Sequence, residues 1–142
     1  MSEEEIKELF LKGIDCSQVV TENFADKLGY DKDFMRKISA CFGGGMLRGE
    51  TCGSVIAGLM LIGLKYGHSR EDDAAQKQLM REKSEEFKKR FVEKYESTMC
   101  RELLGYDLSK PEELGLALES GRLFSFCPRL TKDSIDILKE IL

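Results

Sequence analysis

Hydrophobic residues along the chain recur with helical rather than strand periodicity. Ile6, Leu9 and Phe10 follow the i, i+3, i+4 pattern, and Ser2 with Glu5 forms the capping-box pattern of a first helix. Strand-type alternation is absent, and glycines separate the apolar segments. The pattern therefore predicts an all-α fold, a compact bundle of about six to seven helices.

Two shorter helices are predicted next. The second covers about residues 16–28, where apolar positions recur every four residues before Gly29, and the third covers about residues 31–41, before the glycine run 43–45. The side chains expected to face inward are Cys16, Val20, Phe24 and Leu28 in the second helix, and Phe34, Ile38 and Cys41 or Phe42 in the third.

The longest uncharged run, residues 51–64, predicts a buried helix at the centre of the bundle. We expect Thr51 to cap it and Gly67 to end it. Its 14 residues are fewer than the ~20 that span a bilayer, so we expect no membrane insertion. Glycines that would let neighbouring helices approach closely recur every five residues, at Gly53, Gly58 and Gly63.

Three further helices complete the prediction. Ser69 is expected to cap a long helix that ends near Glu96, Pro111 to begin a sixth helix that Gly121 ends, and Thr131 to cap the last. The expected inward positions are Met80, Phe87, Phe91 and Tyr95 in the long helix, and Ile135, Leu138, Ile141 and Leu142 in the last.

Composition limits the functional classes. A chain of 142 residues fits one domain, residues 1–142, and a net charge of -4 argues against general affinity for nucleic acid or anionic membranes. The acidic beginning, residues 1–5, lacks the positive charge of a secretory signal, so we expect a cytoplasmic protein.

Cysteine carries the candidate chemistry. In a reducing compartment, five cysteines indicate thiols, metal ligation or redox chemistry rather than structural bridges. No two form a C-x-x-C motif, which excludes thioredoxin-type motifs, zinc ribbons and standard ferredoxin spacing. His68 is the only histidine, so His-rich metal sites and histidine relays are excluded as well.

The individual cysteines differ in what their positions favour. Cys52 lies in the first turn of the central helix, where free amides and the helix dipole favour a thiolate, although a small buried apolar residue would also suit that position. Cys16 lies on a core-facing stripe. Cys100 and Cys127 lie at predicted breaks, each with an arginine nearby, which suits redox or ligand roles. Packing is the better interpretation of Cys41.

These segments resemble the C_GCAxxG_C_C family of redox-active proteins over nearly the whole chain. Residues 13–20 resemble its first cysteine segment, residues 42–46 its glycine turn and residues 52–55 its central C-G-A motif, and Cys100 and Cys127 resemble its third and fourth cysteines. The resemblance implies a helical protein with four working cysteines and a redox role. The departures are Asp15 for asparagine, Ser54 for alanine and Ala57 for glycine, and Cys41 falls outside the pattern.

Three functions remain open at this point. The first is thiol–disulfide redox chemistry, with Cys52 as the nucleophile, Cys16 as its resolving partner, and Cys100 and Cys127 as a second pair. The second is a zinc or iron–sulfur site ligated by the same four cysteines. The third is a helical interaction module in which the cysteines only pack. The redox partner is unknown, and a homodimer is left open.

Overall fold

Helices make up the whole architecture of the chain. The computed structural model describes residues 1–142 and contains nine α-helices and no β-sheet, which confirms the all-α prediction. A 3₁₀ turn, Ala40–Phe42, and a non-helical turn, Gly45–Gly49, connect α4 to α5. The α-helices are α1 Glu3–Leu11, α2 Cys16–Asn23, α3 Ala25–Leu28, α4 Lys32–Ser39, α5 Gly53–Tyr66, α6 Ala74–Tyr95, α7 Cys100–Leu104, α8 Pro111–Ser120 and α9 Arg122–Ile141. None of them is both long enough and apolar enough to cross a membrane.

Helix α5 lies at the centre, as its apolar sequence predicts. It packs against α2, α6 and α9, and half of its residues are buried. A Cβ atom on Gly58 would lie 2.5 Å from the Phe87 ring, so α6 approaches α5 closely where glycine permits it. Gly63 has open space around it, so the prediction of close approach there is wrong. Ala57 is fully buried, and its methyl group fits where the motif has glycine.

The inward face predicted for α4 is wrong. Phe34, Ile38 and Cys41 are exposed, whereas Met35 and Ser39 are fully buried. Hydrogen bonds between hydroxyl and backbone groups decide which face of α4 packs against α2. They run from Ser17 Oγ to the Ser39 carbonyl (2.7 Å), from Thr21 Oγ1 to the Met35 carbonyl (3.2 Å), and between the hydroxyls of Thr21 and Ser39 (2.9 Å).

Three predicted helix starts are also corrected. Cys52 rather than Thr51 is the N-cap of α5, and Asp73 rather than Ser69 caps α6 through a hydrogen bond from the Gln76 amide. Thr131 caps nothing, because α9 begins nine residues earlier at Arg122.

Helix α9 runs through the segment in which a break was predicted. Pro128 lies inside the helix, where it removes one backbone hydrogen bond and crowds the carbonyl of the preceding turn, yet the helix continues to Ile141. The Arg122 side chain donates hydrogen bonds to the carbonyls of Leu103 and Leu104, which ties the first turn of α9 to α7. Cys127 is therefore a helical residue and not a loop residue.

Candidate functional site

Four of the five cysteines line one cavity. Cys16, Cys52, Cys100 and Cys127 border a space of about 470 Å³ enclosed by residues of α1, α2, α5, α7, α8, α9 and the loops beside them. Cys41 is exposed and does not line it. All five cysteines are free thiols. The fold therefore brings together the four cysteines that the sequence singled out and leaves the fifth outside.

Cys16 and Cys52 form the closest association in this cavity. Cys16 is the first residue of α2, Cys52 is the N-cap of α5, and these two helices pack against each other. The two thiols lie close enough for Cys52 to raise the pKa of Cys16. Each sulfur thus lies at the start of a helix, where backbone amides have no acceptor within the helix. Residues 36 positions apart in the chain form a pair of neighbouring thiols.

Gly53 makes room for this pair. A Cβ atom on Gly53 would lie 2.6 Å from Cys16 Sγ and 2.7 Å from the Phe42 carbonyl oxygen. Both distances are well inside van der Waals contact. Gly43 is equally confined, since its Cβ atom would lie 2.6 Å from Cβ of Asp15. The glycine that follows Cys52 is therefore required by the position of the Cys16 thiol.

Cys100 reaches the cavity through a short antiparallel backbone pairing. The Cys52 amide donates to the Thr98 carbonyl at 2.7 Å, and the Cys100 amide donates to the Glu50 carbonyl at 2.6 Å. These two bonds hold the beginning of α7 beside the beginning of α5. The pairing joins segments nearly 50 residues apart, and no local sequence signal predicts it.

A left-handed turn borders the thiols. The four consecutive residues 44–47 have φ angles between 58° and 65°. Such a conformation costs about 1–2 kcal/mol per non-glycine residue, and Met46 and Leu47 are not glycine. The Gly44 backbone acts to lower the pKa of the Cys16 thiol, and a Cβ atom on Gly45 would lie 2.7 Å from Cβ of Cys100. The turn is thus in contact with two of the four cysteines.

Cys127 is positioned by the contact between α9 and α5. One helical turn after it, Thr131 is fully buried and shares a hydrogen bond of 3.1 Å with the Ser54 hydroxyl. Ser54 stands where the sequence motif has alanine, so this chain replaces an apolar contact with a buried hydroxyl pair. That pair fixes α9 against the first turn of α5 and directs Cys127 to the cavity.

The sequence of residues 14–141 matches a family model described as "Putative redox-active protein (C_GCAxxG_C_C)". The chain belongs to the C_GCAxxG_C_C family. The matched range contains every cysteine of the cavity. No curated protein and no solved structure matches the chain. The family description supports a redox role in general terms.

Three cavity thiols of this C_GCAxxG_C_C protein have raised pKa values. The neighbouring Cys52 thiol, together with burial, raises the pKa of the Cys16 thiol well above its ordinary value. Burial raises the pKa of Cys100 to about 11 and raises that of Cys127 further. These three groups are therefore protonated thiols near neutral pH.

The arginines close to Cys100 and Cys127 in the sequence have other partners. The Arg101 side chain donates to the Gly49 carbonyl at 3.3 Å, and Arg129 faces Glu3 at 3.8 Å. Arg122, five residues before Cys127, is the cation that opposes the rise of the Cys127 pKa. The arginines that lie next to these cysteines in the sequence are thus engaged with other groups.

No preformed metal site exists among these side chains. No group of three or more histidine, cysteine, aspartate or glutamate side chains is arranged to hold a metal ion. Four cysteines line the same space, but they lie around its wall rather than at ligand spacing. The geometry thus gives zinc or an iron–sulfur cluster no ready ligand set.

Sequence reasoning missed residues that shape the site without being cysteines. Asp15 lines the cavity directly before Cys16, and burial raises the pKa of its carboxyl group. Its only sequence signal was its replacement of the motif asparagine. Thr131 was assigned to a helix cap, and its hydrogen bond to Ser54 depends on a contact across 77 residues of chain.

Proposed function

We propose that this protein carries out thiol–disulfide redox chemistry, with Cys52 and Cys16 as its working dithiol. The pair of neighbouring helix-start thiols that lines one cavity carries this proposal. Two neighbouring thiols are the minimum needed to reduce a disulfide and to be oxidised to one in return. The family's general redox description supports the same conclusion.

Cys52 is the proposed nucleophile. It caps the 14-residue helix α5, whose first amides and positive dipole end favour negative charge on its sulfur. Cys16 is the proposed resolving residue, because the neighbouring Cys52 thiol and burial raise its pKa. A nucleophile at a helix start and a neighbouring thiol that retains its proton suit sequential attack.

The reaction proceeds in two exchanges. The Cys52 thiolate attacks one sulfur of a substrate disulfide, whose S–S bond breaks, and the other substrate sulfur leaves as a thiolate and takes a proton. Cys16 then loses its proton and attacks Cys52 Sγ, forming a Cys16–Cys52 disulfide and releasing the second substrate thiol. Two electrons pass from the protein to the substrate. A dithiol from a reducing partner reverses both exchanges and restores the protein.

Cys100 and Cys127 are proposed as a second dithiol. Both line the same cavity and remain protonated at neutral pH. They therefore do not compete with Cys52 as nucleophiles in the first exchange. Exchange with the Cys16–Cys52 disulfide would pass the oxidation to them. Free thiols suit a reducing compartment, so we propose a cytoplasmic, single-domain thiol–disulfide oxidoreductase.

The direct test compares two cysteine variants in disulfide reduction. We expect the Cys41→Ser protein to retain exchange with a small disulfide and the Cys41→Ser, Cys52→Ser double variant to lose it, because of these two cysteines only Cys52 lies in the cavity. Circular dichroism of both variants controls for folding. Equal rates in the two variants would contradict the assignment of Cys52.

A further inference from the structure

We propose that the substrate is a small, uncharged, apolar disulfide that enters the cavity, and not a folded protein or an anionic disulfide. This inference rests on the proposed thiol–disulfide function and names the substrate class of the same site. It follows from where the Cys52 sulfur lies and from which side chains surround it.

Access to the nucleophile limits the size of the substrate. Cys52 is only 7% exposed, so a disulfide on the surface of a folded partner does not reach its sulfur. The cavity volume of about 470 Å³ lies within the range of small-molecule pockets. A substrate that enters the cavity can reach Cys52 and Cys16 together, as both line its wall.

The residues that line the cavity disfavour a negatively charged substrate. Fifteen of the 22 lining residues are hydrophobic, and none is lysine, arginine or histidine. Asp15 is the only acidic side chain among them apart from the cysteine thiols, and its carboxylate would repel an anion. A carboxylate brought into such surroundings loses its hydration without gaining a cationic partner.

Arg122, the cation that acts on Cys127, is already engaged. Arg122 donates hydrogen bonds to two backbone carbonyls of α7, and its guanidinium lies 4.1 Å from the centre of the Phe126 ring. Turning it into the cavity would break these contacts. An anionic disulfide, such as one bearing the carboxylates of glutathione, therefore finds no counter-charge.

The electron balance is that of a dithiol and one disulfide. An apolar substrate R–S–S–R takes two electrons and two protons from Cys52 and Cys16 and leaves as two R–SH molecules, while the protein retains one Cys16–Cys52 disulfide. Both products are uncharged, so the apolar lining that admits the substrate also releases them.

The test uses the Cys41→Ser protein, which lacks the exposed thiol. Its exchange rate with uncharged 4,4′-dithiodipyridine is compared with that for 5,5′-dithiobis(2-nitrobenzoate), which carries two carboxylates. Each rate is divided by the rate of the same reagent with a free small thiol. We expect the normalised rate to favour the uncharged reagent by roughly tenfold or more, because the anion is desolvated without a partner.

A charge introduced at the cavity supplies the matched comparison. Ser109 is exposed and lines the cavity, whereas Ser69 is exposed and lies away from it. Ser109→Lys should raise the rate with the anionic reagent and narrow the preference, and Ser69→Lys should not. Exchange that still requires Cys52 but shows no preference would overturn this inference alone. Exchange that does not require Cys52 would overturn the proposed function itself.

Discussion

The Sγ atom of Cys16 lies 2.6 Å from the point at which a Cβ atom would stand on Gly53. The Cys16 thiol thus occupies space beside Cys52 that is open only because residue 53 is a glycine. This close contact explains why Cys52, the N-cap of α5, is followed by glycine, which has poor helix propensity. The position of the thiol pair depends on it.

Replacing that glycine should disrupt the thiol pair. Gly53→Ala forces either the Cys16 sulfur or the Phe42 carbonyl to move, since each lies within 2.7 Å of the new methyl group. We expect a loss of stability of about 1–3 kcal/mol, the usual cost of overpacking, and a strong decrease in Cys52-dependent exchange. Urea unfolding and exchange kinetics measure the two effects.

Gly63→Ala is the matched control in the same helix. Gly63 has no atom within 4 Å of its would-be Cβ, so alanine should raise stability by up to about 1 kcal/mol and leave exchange unchanged. If both variants lost exchange equally, the steric argument for Gly53 would fail.

The buried hydroxyl pair of Ser54 and Thr131 should behave as one unit. Removing either hydroxyl, by Ser54→Ala or Thr131→Val, leaves the other buried with a lost partner and should cost about 1–2 kcal/mol. The double variant should cost less than the sum of the two single variants. A double-mutant cycle from urea unfolding measures this coupling, and strict additivity would show that the hydroxyls do not interact.

The raised thiol pKa values predict a loss of stability in alkali. The folded protein keeps the Cys100 proton up to a pKa of about 11, whereas an unfolded cysteine loses it near ~8.5. The folded state then binds more protons, so the stabilisation from the Cys100 thiol is fully present below about pH 8.5 and is lost as the pH rises towards 11.

Cys100→Ala should show a shallower fall of the unfolding free energy over this range than the unmodified protein. Cys41→Ala, at an exposed site, should show an unchanged fall, and identical curves for all three proteins would contradict the prediction.

The left-handed turn beside the thiols should be strained at Leu47. This residue has a φ of 61° and is 62% exposed, so glycine there removes backbone strain while losing little buried area. We expect Leu47→Gly to stabilise the protein by up to about 1 kcal/mol. Leu116→Gly, at a comparably exposed position inside α8, should instead destabilise it by about 1 kcal/mol, because that residue is helical. Thermal unfolding of the two variants distinguishes these outcomes.

The sequence predicts those parts of the fold in which side-chain periodicity decides the structure. The capping box at Ser2, the central helix, and the inward Phe87 and Phe91 follow from local pattern, and the structure confirms them. The face of α4 was misassigned because Ser39 packs through hydrogen bonds, which hydrophobic periodicity does not register.

Local sequence patterns do not predict that the four cysteines meet at one cavity. Cys100 is brought to Cys52 by backbone bonds between distant segments, and Cys127 by a hydroxyl pair on two separate helices. Motif spacing identified which cysteines to consider. It could not place them around one cavity, because the contacts that do so depend on the packing of the whole bundle.

Disulfide mapping by mass spectrometry tests the central claim most directly. The Cys41→Ser protein is oxidised with less than one equivalent of 4,4′-dithiodipyridine, the remaining thiols are alkylated, and the peptides are sequenced. The account predicts a Cys16–Cys52 disulfide as the first bond formed, with Cys100 and Cys127 alkylated as free thiols. A first disulfide that omits Cys52, or a protein whose cavity thiols all remain reduced, would contradict it.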